Sequence, residues 1–552
     1  MTARNSLGSH APARRDRGTI LTIVLLLFVN VMDGQQLAFP TAEGSGRFAT
    51  GGRGGTVYEV TNLNNSGPGS IVDAVSQPNR TVVFRISGTI ELGSVILTPK
   101  SNITIAGQTA PGDGICLKGR LKISASNILV RYIRVRVDAG AANSSGDAVD
   151  ISNCSNVIVD HVSASYARDE GISSTETSDF VTVQWCIISE GLTFESHSFG
   201  SLIRGDYGDR KTYHHNLYAH NWGRLPRPGN YTSVPTDTAG LYLDFRNNVI
   251  YNWQGSTPGY NDDVSSVSRY NFIGNAYVAG LQSGGNTIFR ERSMVSVGYF
   301  ENNAMNGIVP DDPWSLVTFR SGITADQIAA YKARSSLIPM EPVKTTSPGQ
   351  ATIDVLASAG ASIPKRDTID RRIVNDVLNK TGGSIASTGE QPEGAWPPLG
   401  SLSAPADDDH DGMPNDWELS HGLDPNDPAD RNTIGADGYT MLEVYLNSLT
   451  GEMTTGITDP ESHVPSQFVL YQNYPNPFNP STSIRYELAL ASQTMLRIYD
   501  VYGRELAVLV DGVRPAGAHV ERFEGVKLTS GIYFAVLRAG SFSQSIKLVL
   551  LK

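Results

Sequence analysis

From about residue 100 to residue 280 the chain alternates apolar and polar positions in short runs rather than in helical stripes. NITIAGQ from Asn102, NILVRYIRV from Asn127, NVIVDHVSA from Asn156 and FVTVQWCII from Phe180 come first. TYHHNLYAH from Thr212, YLDFRNNVIYNW from Tyr242 and SRYNFIGNAYV from Ser268 follow. Each is short, alternating and rich in β-branched or aromatic residues, which predicts a strand. They recur roughly every 24 to 31 residues, the period of stacked supersecondary units. No convincing amphipathic helix separates most of them, so a βαβ sheet is disfavoured. Short strands at this period, with Gly, Asn and Ser turns between them, predict a parallel β-helix. Its polar outward residues line up on successive turns and can become a binding groove.

The pattern changes downstream. Residues 341–390 are mixed, with a helix predicted around Asp367 to Leu378 that packs back on the solenoid. The connector QPEGAWPPLGSLSAPA ends that domain. Asp407 to Leu449 is a small acidic unit, and TTGITDPESHVPS leads from it to alternating strands between about Gln467 and Lys552, read as a β-sandwich. At the other end Arg4, Arg14, Arg15 and Arg17 precede the apolar run Ile20 to Val31, the layout of a signal peptide cleaved near Gly34 to Gln36. An uncleaved anchor is the alternative. No later segment is long and apolar enough to span a bilayer. The expected division is a signal peptide over residues 1–36, a β-helix over 37–399, a linker and EF-hand-like unit over 400–455, and the terminal domain over 464–552.

Composition narrows the function. A chain of 552 residues suggests two to four domains. A net charge of −11 disfavours nucleic acid as a partner, because phosphate contacts need clustered Lys and Arg. An acidic polysaccharide needs only a local basic cleft. The three cysteines, Cys116, Cys154 and Cys186, do not suit a disulfide framework and read as small buried apolar residues.

Three local features carry candidate chemistry. Asp147 and Asp150 in SGDAVDIS, and Asp169 and Glu170 in YARDEGIS, fall near strand ends on neighbouring turns. Hard oxygen donors gathered this way suit Ca2+, which takes about six to eight oxygens at roughly 2.3–2.6 Å. Solvated turn carboxylates would give the same pattern. In GRLPRPG, Arg224 and Arg227 are fixed around a proline, and guanidinium groups match carboxylates bidentately. A basic surface turn is the plain alternative. His197 in FESHSFGSLIRGD, with Arg204 nearby, is either a site residue or structural.

From about Leu37 to Gly382 the chain resembles the family 1 polysaccharide lyases, the pectate lyases. The resemblance is carried by AFPTAEGSGRFATGGRGGTVYEVTNLNNSGPGS, ITIAGQTAPGDGI, NVIVDHVSAS, VTVQWCIISEGL and KTYHHNLYAHNWGRLPRPG. It implies a right-handed parallel β-helix within an all-β chain. It also implies cleavage of α-1,4-polygalacturonate by calcium-assisted β-elimination, giving unsaturated oligogalacturonates. By motif position Asp147 and Asp169 would hold Ca2+, Arg224 would take the C5 proton and Arg227 would bind a substrate carboxylate. His197, with Arg204 near it, lies roughly where the family often has a substrate-holding lysine. Ser173 stands where many relatives carry a third acidic ligand, so Asp150 or Glu170 would supply the missing oxygen. Asp160 and His161 also recur in the motif and read as structural.

The acidic unit fits D-x-D-x-D-G-x5-E in DDDHDGMPNDWE. Asp407, Asp409 and Asp411 are candidate side-chain ligands, Gly412 allows the sharp turn, Met413 offers its carbonyl and Glu418 closes the site. The unit resembles the calcium loops of dockerin and thrombospondin type 3 repeats, which implies a structural role. The partner segment ADGYTMLEVYL keeps Asp437, Gly438 and Glu443 but loses the spacing. The end of the chain resembles the sorting domains of type IX secretion substrates, through Asn476, Pro477, Phe478, Asn479 and Pro480. That implies passage across two membranes of a Gram-negative bacterium to the cell surface or beyond. A monomer acting on pectin and handled by the type IX machinery is the expected whole. The competing readings are a pectin lyase on esterified substrate, a polygalacturonase and a non-catalytic β-helix adhesin.

Overall fold

A computed structural model describes residues 35–193, 197–337, 342–385, 391–392, 394–452, 468–473, 476–488, 492–514, 517–540 and 542–552. The signal segment 1–34 and the predicted boundary at residue 464 lie outside them.

Most of the repeated segments are not single strands. From Asn127 onward each is two strands broken at a left-handed residue, whereas NITIAGQ is the strand Ile103–Ala106 followed by a 3-10 turn. Ile128–Arg131 and Ile133–Arg136 flank Tyr132 (φ 56°), and Ser155–Asp160 and Ser163–Ser165 are separated at His161 (φ 52°). Asp179–Gln184 and Ile187–Ser189 are separated at Trp185 (φ 53°), and Arg210–His214 and Leu217–Ala219 at His215 (φ 54°). A left-handed L-residue costs about 1–2 kcal/mol. Stacking offsets part of that cost: Tyr132 and His161 lie 4.5 Å apart, and Trp185 and His215 4.3 Å. Alternation alone does not reveal the corner, because polar and aromatic residues continue the pattern through it.

The strands before the corner pair in parallel as a ten-stranded sheet, the first face of the solenoid. Those after it form a second face. A third is built by Val149–Ser152, Ile172–Thr175, Leu202–Arg204, Arg227–Gly229, Gly259–Asn261, Phe289–Glu291 and Val317–Phe319. The long strand Ile115–Ile123 joins the second and third faces. Register stacks like on like inside. Val130, Val159, Val183, Tyr213, Phe245, Phe272 and Phe300 are partners on successive turns of the first face, all buried. Each such side chain is worth about 1.5–3 kcal/mol on burial. Just past the corner a buried amide ladder runs from Asn216 to Asn248 at 2.9 Å, to Asn275 at 3.1 Å and to Asn303 at 2.9 Å.

The helix Thr368–Asn379 forms as predicted, capped by Asp367, and lays Ile369, Ile373 and Val377 on Leu217, Val249 and Tyr251 of the second face. Asp367 and Asp370 also hold the buried Arg136 at 2.6 and 3.0 Å. Asp160, read as structural, pairs with Arg131 at 2.8 Å. The cysteines are free and buried. No helix among the described residues is long and apolar enough to cross a membrane. The terminal domain pairs antiparallel strands in a three-stranded and a four-stranded sheet around Ile484, Tyr486, Leu496, Ile498, Leu537 and Leu548, a β-sandwich.

The acidic unit does not hang beyond its connector. Leu402 and Asp113 exchange the connector's backbone with the solenoid (Leu402 N–H to Pro111 at 2.9 Å, Asp113 N–H to Gly400 at 2.9 Å). Met413, Leu442, Tyr445 and Leu446 then bury against Val57 and Ala106 on the outside of the first face. Arg53–Glu443 at 2.6 Å, Arg131–Glu452 at 2.8 Å and His410–Glu59 at 2.7 Å frame the contact. Composition marks a Pro/Gly connector as a domain boundary. Here the connector is a strap.

Asn248→Ala removes the middle of the amide ladder and leaves buried donors and acceptors on both sides without partners. Stability should fall by about 1–3 kcal/mol, read from the midpoint of chemical denaturation; an unchanged midpoint would show that the ladder is dispensable.

Candidate functional site

The turn that enters each strand of the third face puts its residues over those of the previous turn. Ala148 N–H donates to the Glu170 carbonyl at 3.1 Å, Gly171 to Phe199 at 3.0 Å, Gly200 to Gly223 at 3.0 Å and Ser201 to Arg224 at 2.7 Å. Asp147, Asp169, Glu170, Phe199 and Arg224 therefore meet along one edge, although 77 residues of numbering separate the first from the last. Single oxygens of Asp147, Asp169 and Glu170 lie within 4.8 Å of one another. The Arg224 guanidinium pairs closely with Glu170, lies 3.6 Å from Asp169 Oδ1 and sits over the Phe199 ring at 4.0 Å. His197 Nε2 is 3.7 Å from the same Asp169 oxygen and meets Phe199 edge-on.

Burial, then the charges of Asp169 and Asp150, push the Asp147 carboxyl well above the usual carboxylate range. Three convergent carboxylates, one of them so destabilised as an anion, are a donor set that fits Ca2+. Asp150 is engaged elsewhere, by Lys122 Nζ at 2.9 Å. Ser173 is buried and accepts from Leu202 N–H at 3.1 Å. Glu170, although paired with Arg224, is the acid whose oxygen lies in one sphere with those of Asp147 and Asp169.

Arg204 and Arg227 form a second group beside the first. They share Asp263, at 3.1 and 3.6 Å, and Arg204 stacks on Tyr231 at 3.9 Å. His197 has its own contacts with Asp169 and Phe199. It stands at the carboxylate edge. Asp263, Phe199 and Tyr260 were not legible as site residues, because only the stacking of turns brings them to the arginines.

In the acidic loop, Asp407, Asp409 and Asp411 present oxygens within one ligand sphere, and Asp411, Glu418 and Asp430 do so as well. Asp409 Oδ2, Asp411 Oδ2, both Glu418 carboxyl oxygens and Asp430 Oδ1 are buried acceptors without a hydrogen-bond partner. Burial and the neighbouring carboxylates raise the Asp411 carboxyl to about 7 and that of Glu418 to about 8. Such a set fits a hard cation. Gly412 makes the turn at φ 92°, and a Cβ there would meet the side chains of Val57, Leu442 and Val83 at 3.1, 3.3 and 3.5 Å. The Met413 side chain is buried in the apolar contact, leaving its carbonyl as the part the pattern assigns to the ion. Asp430 lies outside the twelve-residue pattern, and no spacing rule would have found it. Glu443 in the partner segment is used by a capping box with Thr440 and by Arg53, not by a second loop.

The "Probable pectate lyase C" of Aspergillus terreus is 38% identical to this chain over 418 residues, covering 75% of this chain and 94% of its own. The protein of the same name from Emericella nidulans is 37% identical over 420 residues, covering 75% and 93%. The chain belongs to the pectate lyase family. The matched stretch is longer than residues 37–399, so it runs past the solenoid into a flanking segment. Residues 472–551 match the family model described as a secretion system C-terminal sorting domain. The crystal structure of jun a 1, the major allergen from cedar pollen, is similar at 19% identity and a TM-score of 0.43, covering 58% of this chain and 92% of that one, a likeness on which nothing rests. In this pectate lyase family member the acidic edge and the arginine pair share the open face of the solenoid, and the second acidic cluster lies in the docked loop.

Asp409→Ala with Asp411→Ala should lower the melting temperature of the solenoid itself, since the loop is packed on its first turns. A ligand that binds only the native form stabilises it by about 2.7 kcal/mol at a hundredfold excess over its Kd. Scanning calorimetry with and without Ca2+ reads this; a calcium-dependent shift that survives in the double variant would remove the ion from this loop.

Proposed function

We propose that the protein is an extracellular pectate lyase that cleaves α-1,4-polygalacturonate by calcium-assisted β-elimination, releasing unsaturated oligogalacturonates. The observation that carries the reading is Arg224 seated against Asp169 and Glu170, with Asp147 in the same ligand sphere. Asp147, Asp169 and Glu170 would hold Ca2+, which would supply positive charge to stabilise the anion that develops on the uronate when its C5 proton leaves. Arg224 is assigned that proton. The C5–H electron pair becomes the C4–C5 double bond, the C4–O bond breaks and the leaving oxygen takes a proton. Arg227 and Arg204, held by Asp263, bind a neighbouring carboxylate through the guanidinium fork. The Phe199 ring under Arg224 fixes its orientation and keeps water from one side of it.

The sorting domain supports export by the type IX route, preceded by a signal peptide over residues 1–36. The named relatives, and the local grouping of Arg204, Arg224 and Arg227 within a chain of net charge −11, support an acidic polysaccharide as partner.

Arg224→Lys or Arg224→Ala should cut the rate of unsaturated-product formation, read by ultraviolet absorbance, at least about a thousandfold while the protein stays folded. A well-folded Arg224→Ala protein with near-normal activity would defeat the assignment. Guanidinium groups give up a proton with difficulty, so the rate should also rise toward alkaline pH. Chelation should abolish turnover, and Asp147→Ala or Asp169→Ala should raise the calcium requirement. Full activity in chelator, on esterified pectin in particular, would replace this reading with a metal-independent pectin lyase.

A further inference from the structure

The device that holds Arg204 and Arg227 recurs two rungs further along the third face. Arg290 and Arg292 share Asp262 at 3.8 and 3.1 Å, as Arg204 and Arg227 share the adjacent Asp263. Two guanidiniums on one carboxylate leave each group with a net positive charge. The second pair is the more open, with side chains 40% and 42% exposed against 19% and 20% for the first. Exposed ion pairs of this kind contribute little to stability, about 0–1 kcal/mol. At 3.8 Å the Arg290–Asp262 contact is an ion pair without a hydrogen bond, so the Arg290 fork keeps donors for another anion.

Register sets where this second group stands. Tyr260 N–H donates to the Pro226 carbonyl at 3.2 Å, which puts Tyr260 on the rung after Arg227, and Tyr260 is the ladder partner of Arg290. Arg227, Tyr260 and Arg290 thus follow one another on three successive rungs. The Tyr260 ring lies 5.9 Å from one guanidinium and 5.2 Å from the other. Parallel strands are about 4.8 Å apart, so the two cationic groups are separated by about 10 Å along the solenoid.

We propose that Arg290, Arg292 and Tyr260 form an outlying subsite that binds a carboxylate of a polyuronate chain about two sugar units from the carboxylate held at Arg227. The inference rests on the reading of this face as the substrate groove. A polyuronate repeats a carboxylate on every residue, and the rung spacing matches the rise of such a chain closely enough for alternate carboxylates to meet the two arginine pairs. Tyr260 offers an aromatic face to the sugar between them. The subsite adds binding for long chains only, since a short substrate centred on Arg224 does not reach it.

The test compares Arg290→Ala with Arg292→Ala, as a double variant, against the wild type on polygalacturonate and on trigalacturonate, together with equilibrium binding of an octagalacturonate. The expected result is a KM for the polymer raised about fivefold or more relative to any change on the trimer, and octamer binding weakened to match, the scale of one or two charge-assisted contacts. Arg290→Lys with Arg292→Lys should recover part of the loss. A double variant that binds and turns over the long substrate as the wild type does overturns the subsite. So does an equal loss on trimer and polymer, which marks a structural role. A wild-type chain that cleaves nothing but binds the octamer through these arginines would retain the subsite and defeat the lyase reading instead.

Discussion

The candidate site on the third face depends on the vertical register of parallel strands. In a sheet whose strands repeat every turn, a residue has as its neighbour the residue one turn later, about 4.8 Å away. The left-handed residues at Tyr132, His161, Trp185 and His215 hold that register by bending the chain at the same point on successive turns. A slip of one residue would turn every inward side chain outward. It would bury the arginines of the third face in place of Val149, Ile172 and Ile203, which now fill the core. The aromatic stack and the amide ladder at the corner act against that slip. The same register that builds the core carries Asp147, Asp169 and Arg224 into one place.

Stacking like positions has an electrostatic consequence. Carboxylates on neighbouring turns meet, and the low-dielectric surroundings penalise their shared charge, as the raised carboxyl of Asp147 shows. Such a cluster must be neutralised by protons, by a cationic side chain or by a metal ion. Arg224 supplies the second at the active edge and Lys122 at Asp150. In the acidic loop no basic side chain plays that part for Glu418 or Asp430 among the described residues, and only Arg85 approaches Asp407, at 3.5 Å. The two acidic clusters thus differ in kind. One has an arginine paired into it, and the other keeps buried carboxylate oxygens without a hydrogen-bond partner.

Much of this was legible in the sequence. Alternation and period predicted the solenoid. The GRLPRPG and YARDEGIS segments pointed to Arg224 and Asp169, and the aspartate spacing pointed to the loop at Asp407 to Glu418. The helix around Asp367 to Leu378 was placed within a segment of mixed pattern, and the structure adds its Asp367 cap. What stayed hidden is what only the stacking of turns supplies. Glu170 and Asp150 were equal candidates on paper, and their difference arises from Lys122 one turn before Asp150 and Arg224 two turns beyond Glu170. The place of His197 beside Asp169 follows from the turn leading to Phe199. Asp430 reaches the loop through a 3-10 turn whose position no spacing rule encodes.

The connector after the solenoid shows why composition misjudges domains. Proline and glycine mark a segment that is not helix or strand, but they do not say whether it is tethered. Here the segment pairs with residues 111–113 and delivers the acidic unit onto the first face. A solenoid has open ends and outward apolar residues in its first turns, and it needs a cap of different sequence to cover them. Val57 and Ala106 are such residues, and Met413, Leu442 and Tyr445 cover them. Met413 lies inside the acidic loop, one residue past the turn glycine and bonded through its N–H to Asp411 at 2.9 Å. The same residue carries the loop's backbone turn and packs its side chain on the first face, so the conformation of the loop and the packing of the first turns are tied together.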